Sequence, residues 1–222
     1  MWRDLQLVAL KDLRIELRSR VAAGQILPFA LVVLILFGFA LDADRVLLER
    51  AAPGLFWMTV LFAAVVAVHR SAAIETSDGA RRALLLAGIE PVSVFAGKSA
   101  AVSVQLLAVE APLLAGIVVL YGAEIEAWPL LAVTCVAAAV AIAVTGSLLG
   151  ALVAGLRAQE TVLPILLFPI LAPVLIAATR AFDDALGIAA VDGWAWLGLL
   201  AGFGALNATL GAWAYGVLLE ET

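Results

Sequence analysis

The chain has 222 residues, 65% of them hydrophobic and 14% charged, with a mean hydropathy of +1.12 and a formal net charge of −5. A soluble domain is about 45–50% apolar and about 25% charged, so a soluble globular domain, a disordered tail and a disulfide scaffold are all excluded. The acidic balance leaves no basic surface for nucleic acid, and the single cysteine, Cys135, allows neither a disulfide framework nor a CxxC site.

Residues 1–21 are patterned as an amphipathic helix. At 100° per residue Trp2, Leu5, Ala9, Leu10, Leu13 and Leu17 share a broad apolar face, and Arg3, Lys11, Arg14 and Arg18 a narrow basic one. The expected element is a cytoplasmic elbow helix lying on the leaflet. It serves either as a plain anchor or also as a contact for a cytoplasmic partner. A full-length span follows with no small-x-small site after it, which argues against a cleaved signal peptide.

Six apolar spans follow, over residues 22–41, 53–68, 99–120, 130–154, 162–178 and 193–219. They are bounded by charges or by turn pairs such as Pro53-Gly54, Tyr121-Gly122 and Asp192-Gly193. Alternation of a barrel kind is missing, so the spans are helices. Six spans of about 20 residues leave roughly 100 for everything else. A nucleotide-binding domain of ~100–150 residues does not fit in that remainder.

The 69–98 segment is the largest predicted cytoplasmic feature. Within it Ala80–Ala87 reads as a short helix, with Asp78 and Gly79 at its start, Gly88 at its end and Pro91 blocking continuation. Leu84 and Leu85 would fill a groove on a cytoplasmic ATPase, with Arg81 and Arg82 at the rim. The alternative is a solvated loop with an interfacial helix. Gly97-Lys98-Ser99 resembles the end of a phosphate loop, but Val92 stands where the first glycine belongs and no strand precedes it. The chain itself is therefore not expected to hydrolyse ATP.

Glu110 is an acid deep in a span, a placement that costs about 2.5–3.5 kcal/mol on insertion scales. Ser99, Ser103 and Glu110 share one helical face. Glu110 and Pro112 read as a transmission element or as a kinked packing contact. Pro164, Pro169 and Pro173 repeatedly interrupt the hydrogen-bond ladder of span five, as a gate or as a fixed kink. Gly146-x-x-x-Gly150 and Gly198-x-x-x-Gly202 allow close helix approach, within the chain or between two copies. The outer segment, residues 179–192, carries Arg180, Asp183, Asp184 and Asp192. Its 185–191 run is a short re-entrant or surface helix, or a solvated loop.

Positive charge orients the spans. Arg45, Arg50 and Arg180 fall on one side, and the other Lys and Arg residues on the opposite side. The latter side is then cytoplasmic and holds both termini. Trp57, Tyr121, Trp128, Trp194 and Trp196 are expected at the outer membrane boundary, where an apolar body with a polar handle is favoured.

Metal-bearing cofactors take His, Cys, Met or Tyr as ligands. His69, Met58, Cys135, Tyr121 and Tyr215 do not converge by sequence logic, and His69 reads as a surface residue at a span end. No metal site is expected.

Ala52-Pro53-Gly54-Leu55-Phe56-Trp57, Glu75-x-x-x-Gly79 with Pro91 and Lys98, and the proline-rich run Leu167 to Ala177 together resemble the CcmB family. This family supplies the permease subunit of the ABC-type heme exporter system of cytochrome c maturation. The resemblance implies an ABC-2-type permease architecture in a bacterial inner membrane and a coupling role for the loop around Glu75. It also implies a CcmA-like ATPase, CcmC-like and CcmD-like membrane partners, a CcmE-like heme chaperone and a second permease copy. ATP then acts only through the partner, and heme is transient cargo released or exported by the complex; no tightly bound heme is expected, with His69 as the one weak ligand candidate. In similar proteins a Ser/Thr-Leu-Glu type sequence follows the glycine, whereas Ala80-Arg81-Arg82 stands here. The competing readings are an ABC-2 permease exporting another small molecule or lipid, an intramembrane enzyme using Glu110, and a scaffold that only recruits an ATPase.

Overall fold

A computed structural model describes residues 2–19, 22–41, 44–76, 90–154 and 159–220. Among the described residues every regular element is helical. The order is α1 (Trp2–Ser19), a π-helical turn (Ala22–Ile26) leading into α2 (Leu27–Ala40), α3 (Arg45–Thr76), α4 (Pro91–Tyr121), α5 (Trp128–Val153), α6 (Gln159–Ala185) and α7 (Gly193–Glu220). The helices α3 to α7 are long and apolar enough to cross a membrane. The first predicted span is shorter. Its apolar helix runs Gly24–Ala40, about 25 Å at 1.5 Å per residue, against a hydrocarbon core of about 30 Å.

Several boundaries differ from those read in the sequence. Pro53-Gly54 does not turn the chain; both residues lie inside α3. An interior proline costs about 3 kcal/mol in a helix, but Ala52, Phe56, Trp57 and Val60 around it are buried, and that packing outweighs the lost hydrogen bond. The 69–98 segment is mostly helix at its ends, because α3 continues to Thr76 and α4 begins at Pro91. Similarly, α6 continues to Ala185, so 179–185 is helical and the remainder up to Asp192 is turn and coil with no surface helix.

The predicted stops at Gly122 and Gly193 hold. Gly122 takes φ 70°, a left-handed cap that closes α4. The Asp192 Oδ1 accepts from the Ala195 N–H at 3.1 Å and caps α7. Pro91 occupies the first turn of α4, where its missing N–H costs nothing.

The helix α5 is the hub, packing on α3, α4, α6 and α7, while α1 lies against α4 and α2 against α3 and α4. Small residues let α5 approach closely. A methyl group on Gly146 would collide with Val68 of α3, and one on Gly150 would sit 3.3 Å from Ala72. The first small-residue pattern is thus an intrachain seam. Gly198 and Gly202 of α7 have nothing near and lie on its exposed side.

The aromatic residues divide differently from the expected belt. Trp128 and Trp194 are exposed, but Trp57 and Tyr121 are buried. Trp57 packs against Phe56 and Phe182 at centroid separations of 5.0 and 4.9 Å. Tyr121 donates its hydroxyl to the Leu34 carbonyl at 2.6 Å, joining α4 to α2.

Candidate coupling site

At one end of the bundle three elements meet: α1, the last turns of α3 and the first turns of α4. The α1 helix has three faces rather than two. Leu5, Val8, Asp12 and Glu16 recur at helical spacing and face the protein; Val8 and Asp12 are buried. Trp2, Leu10 and Leu17 are exposed, and Arg3, Lys11, Arg14 and Arg18 form the basic side. An exposed apolar stripe beside a basic one suits a helix lying in the interfacial plane.

Gly97 makes the docking of α1 possible. A Cβ there would lie 2.8 Å from Val8 Cβ and 2.9 Å from the Leu5 carbonyl oxygen. The Gly97-Lys98-Ser99 run, which superficially resembles a phosphate loop, is therefore a helix-packing element. Lys98 follows it and is only 4% exposed. A buried ammonium needs compensation, and its Nζ donates to the Ser71 carbonyl of α3 at 2.9 Å. On the other side of the junction Arg70 Nε lies 3.5 Å from Glu16 Oε2. Asp12, Glu16, Arg70 and Gln105 line one small recess. One cation, Arg70 of α3, thus sits where α1 presents acids, while Lys98 of α4 is held by the α3 backbone.

The predicted coupling residues fall around this junction. Glu75 lies on the last turn of α3, and Pro91 opens α4. Asp78, Gly79, Arg81, Arg82, Leu84 and Leu85 lie outside the described residues, as does the predicted 80–87 helix. The structure brings together the two helix ends that bracket this segment. Glu16 and Arg70 were not singled out by sequence, and Gly97 and Lys98 stood out only as a false phosphate-loop match and, for Lys98, as part of the family resemblance; the Lys98–Ser71 and Glu16–Arg70 pairs are too far apart in the chain for any spacing rule to find.

Deeper in the bundle, Ser99, Ser103 and Glu110 are buried, as their shared face implied. The Ser103 hydroxyl donates to the Ser99 carbonyl at 2.8 Å. Glu110 is 1% exposed and neighbours the Cys135 thiol of α5. Neither carboxyl oxygen has a well-formed hydrogen bond. Pro112 lies inside α4, and Pro164, Pro169 and Pro173 all lie inside α6 without dividing it.

The residues able to ligate heme stay apart. His69 and Met58 are both on α3, eleven positions and therefore about 16 Å apart. Cys135 is buried in α5. Tyr121 binds Leu34, whereas Tyr215 packs on Phe95 at 5.4 Å in the α1-side cluster. Among the described residues no group of three or more His, Cys, Asp or Glu converges.

The CcmB protein family matches residues 3–221. The chain belongs to the CcmB family. Its relatives include heme exporter protein B of Rhodobacter capsulatus, 31% identical over 75% of this chain and 76% of the relative. The heme exporter protein B of Haemophilus influenzae is 28% identical over 79% of each chain. That of Paracoccus denitrificans is 28% identical over 80% of this chain and 81% of its own. As a CcmB-family member with five long apolar helices, the chain is a multi-pass membrane protein and a transporter component.

Proposed function

We propose that this CcmB-family chain is the membrane-spanning subunit of an ABC-type heme exporter serving cytochrome c maturation. The match to the family over residues 3–221 carries this reading. In it, a separate CcmA-like ATPase hydrolyses ATP and engages the segment between α3 and α4. CcmC-like and CcmD-like proteins and a CcmE-like chaperone handle heme, which is exported or released with the chaperone. Two permease copies act together in the inner membrane, with their termini in the cytoplasm. The junction of α1, α3 and α4 supports this reading, since it ties both bracketing helix ends to the elbow helix. Glu110 and the proline-bearing α6 act as transmission elements beneath that junction.

A deletion strain stained for covalently attached heme tests the reading. Loss of c-type cytochromes, restored by the gene but not when the partner ATPase carries a hydrolysis-dead substitution, is the expected outcome. Intact c-type cytochromes in the deletion strain would sink it. Restoration despite the dead ATPase would reduce the chain to a scaffold.

A further inference from the structure

At the end of the bundle remote from α1, α3 and α6 border a groove of about 570 Å³. Its walls are apolar, with Trp57, Met58 and Leu61 from α3 and Ile176 from α6. Met58 and Ile176 are 46% and 56% exposed, so the groove opens sideways, toward the bilayer. Its mouth carries the guanidinium groups of Arg50 and Arg180. Asp183 takes one hydrogen bond from Arg180, at 3.1 Å, and leaves that side chain half-exposed. Arg50 has no acidic partner among the described residues. Its neighbour Glu49 is occupied by Arg45 at 2.8 Å; Arg50 also borders a second cavity lined by Glu49, Glu124 and Glu126, and forms no ion pair with them.

We propose that this groove holds an anionic phospholipid from the leaflet opposite α1. The charge pattern requires an acidic head at the mouth and an apolar body below it, and a bilayer lipid presents both in that order. A cation pair beside a hydrocarbon-depth groove attracts an anionic head by about 1 kcal/mol per arginine, roughly fivefold each. Trp57 contributes to the groove wall from a buried position, packed on Phe56 and Phe182.

The test uses the full chain in nanodiscs containing equal phosphatidylglycerol and phosphatidylcholine with the same acyl chains. Native mass spectrometry then reads the retained lipid. The wild type is expected to keep phosphatidylglycerol preferentially. Arg50→Gln should cut that preference about fivefold, and Arg50→Gln with Arg180→Gln further. Because losing Arg180 leaves Asp183 unpaired, Arg50→Gln alone carries the test if the double variant fails to fold. Leu61→Trp, which fills the groove, should expel both lipids with the melting temperature kept. Equal retention of the two lipids by the wild type, or an unchanged preference in Arg50→Gln, overturns the proposal. So does stoichiometric displacement of the lipid by added hemin that depends on Arg50, which would assign the groove to heme.

Discussion

Gly146 and Gly198 open two patterns of identical spacing, yet their surroundings are opposite. A methyl group at Gly146 would run into Val68, and one at Gly198 would meet open space. Gly146→Ala should therefore cost about 1–3 kcal/mol through overpacking, whereas Gly198→Ala should change stability by no more than about 0.5 kcal/mol. Thermal unfolding of the two variants in the same detergent checks this, and equal losses would contradict the assignment. The sequence showed that both glycines allow close approach. It did not show which one is used, because Val68 lies 78 positions from Gly146 and no periodicity links them. Trp57 is illegible for the same reason. A boundary preference belongs to the residue type, but the partners Phe56 and Phe182 gave it a place in the core.

At the scale of elements, long apolar runs placed all six apolar helices, and Pro91, Gly122 and Asp192 marked real ends. Interior prolines were harder to read. Pro53 signals a turn by composition, and only the burial around it shows that α3 runs on. The elbow helix was legible as amphipathic, but its third face was not, since Asp12 and Glu16 count as polar until Arg70 is placed beside them. Its docking rests on Gly97. Gly97→Leu should push α1 off α4, seen as at least tenfold faster amide exchange over residues 5–12 while the buried middle of α5 keeps its protection. Unchanged exchange in α1 would show that Gly97 is not the element holding it.

For the molecule as a whole, the parity of the spans decides which compartments the two ends face. The five long helices alone would put α1 and the end of α7 on opposite sides. The shorter Gly24–Ala40 helix restores the even number, provided that the bilayer thins or the chain near its ends reaches into the headgroups, as short spans do at modest cost. Reporter fusions are expected to place residues near both termini in the cytoplasm and residues 123–127 outside. A reporter near residue 10 active only in the periplasm would establish five crossings. The charge asymmetry of the sequence carries this expectation.

The unbroken length of α3 has a mechanical meaning. At 32 residues it is about 48 Å long, more than the roughly 40–45 Å of a bilayer with its headgroups. It behaves as a lever whose ends lie in different compartments. A tilt of about 5° applied at Thr76 moves the Arg45 end by roughly 4 Å. That is enough to widen or pinch the space beside Arg50, so a push delivered at one surface would reach the other along a single continuous helix.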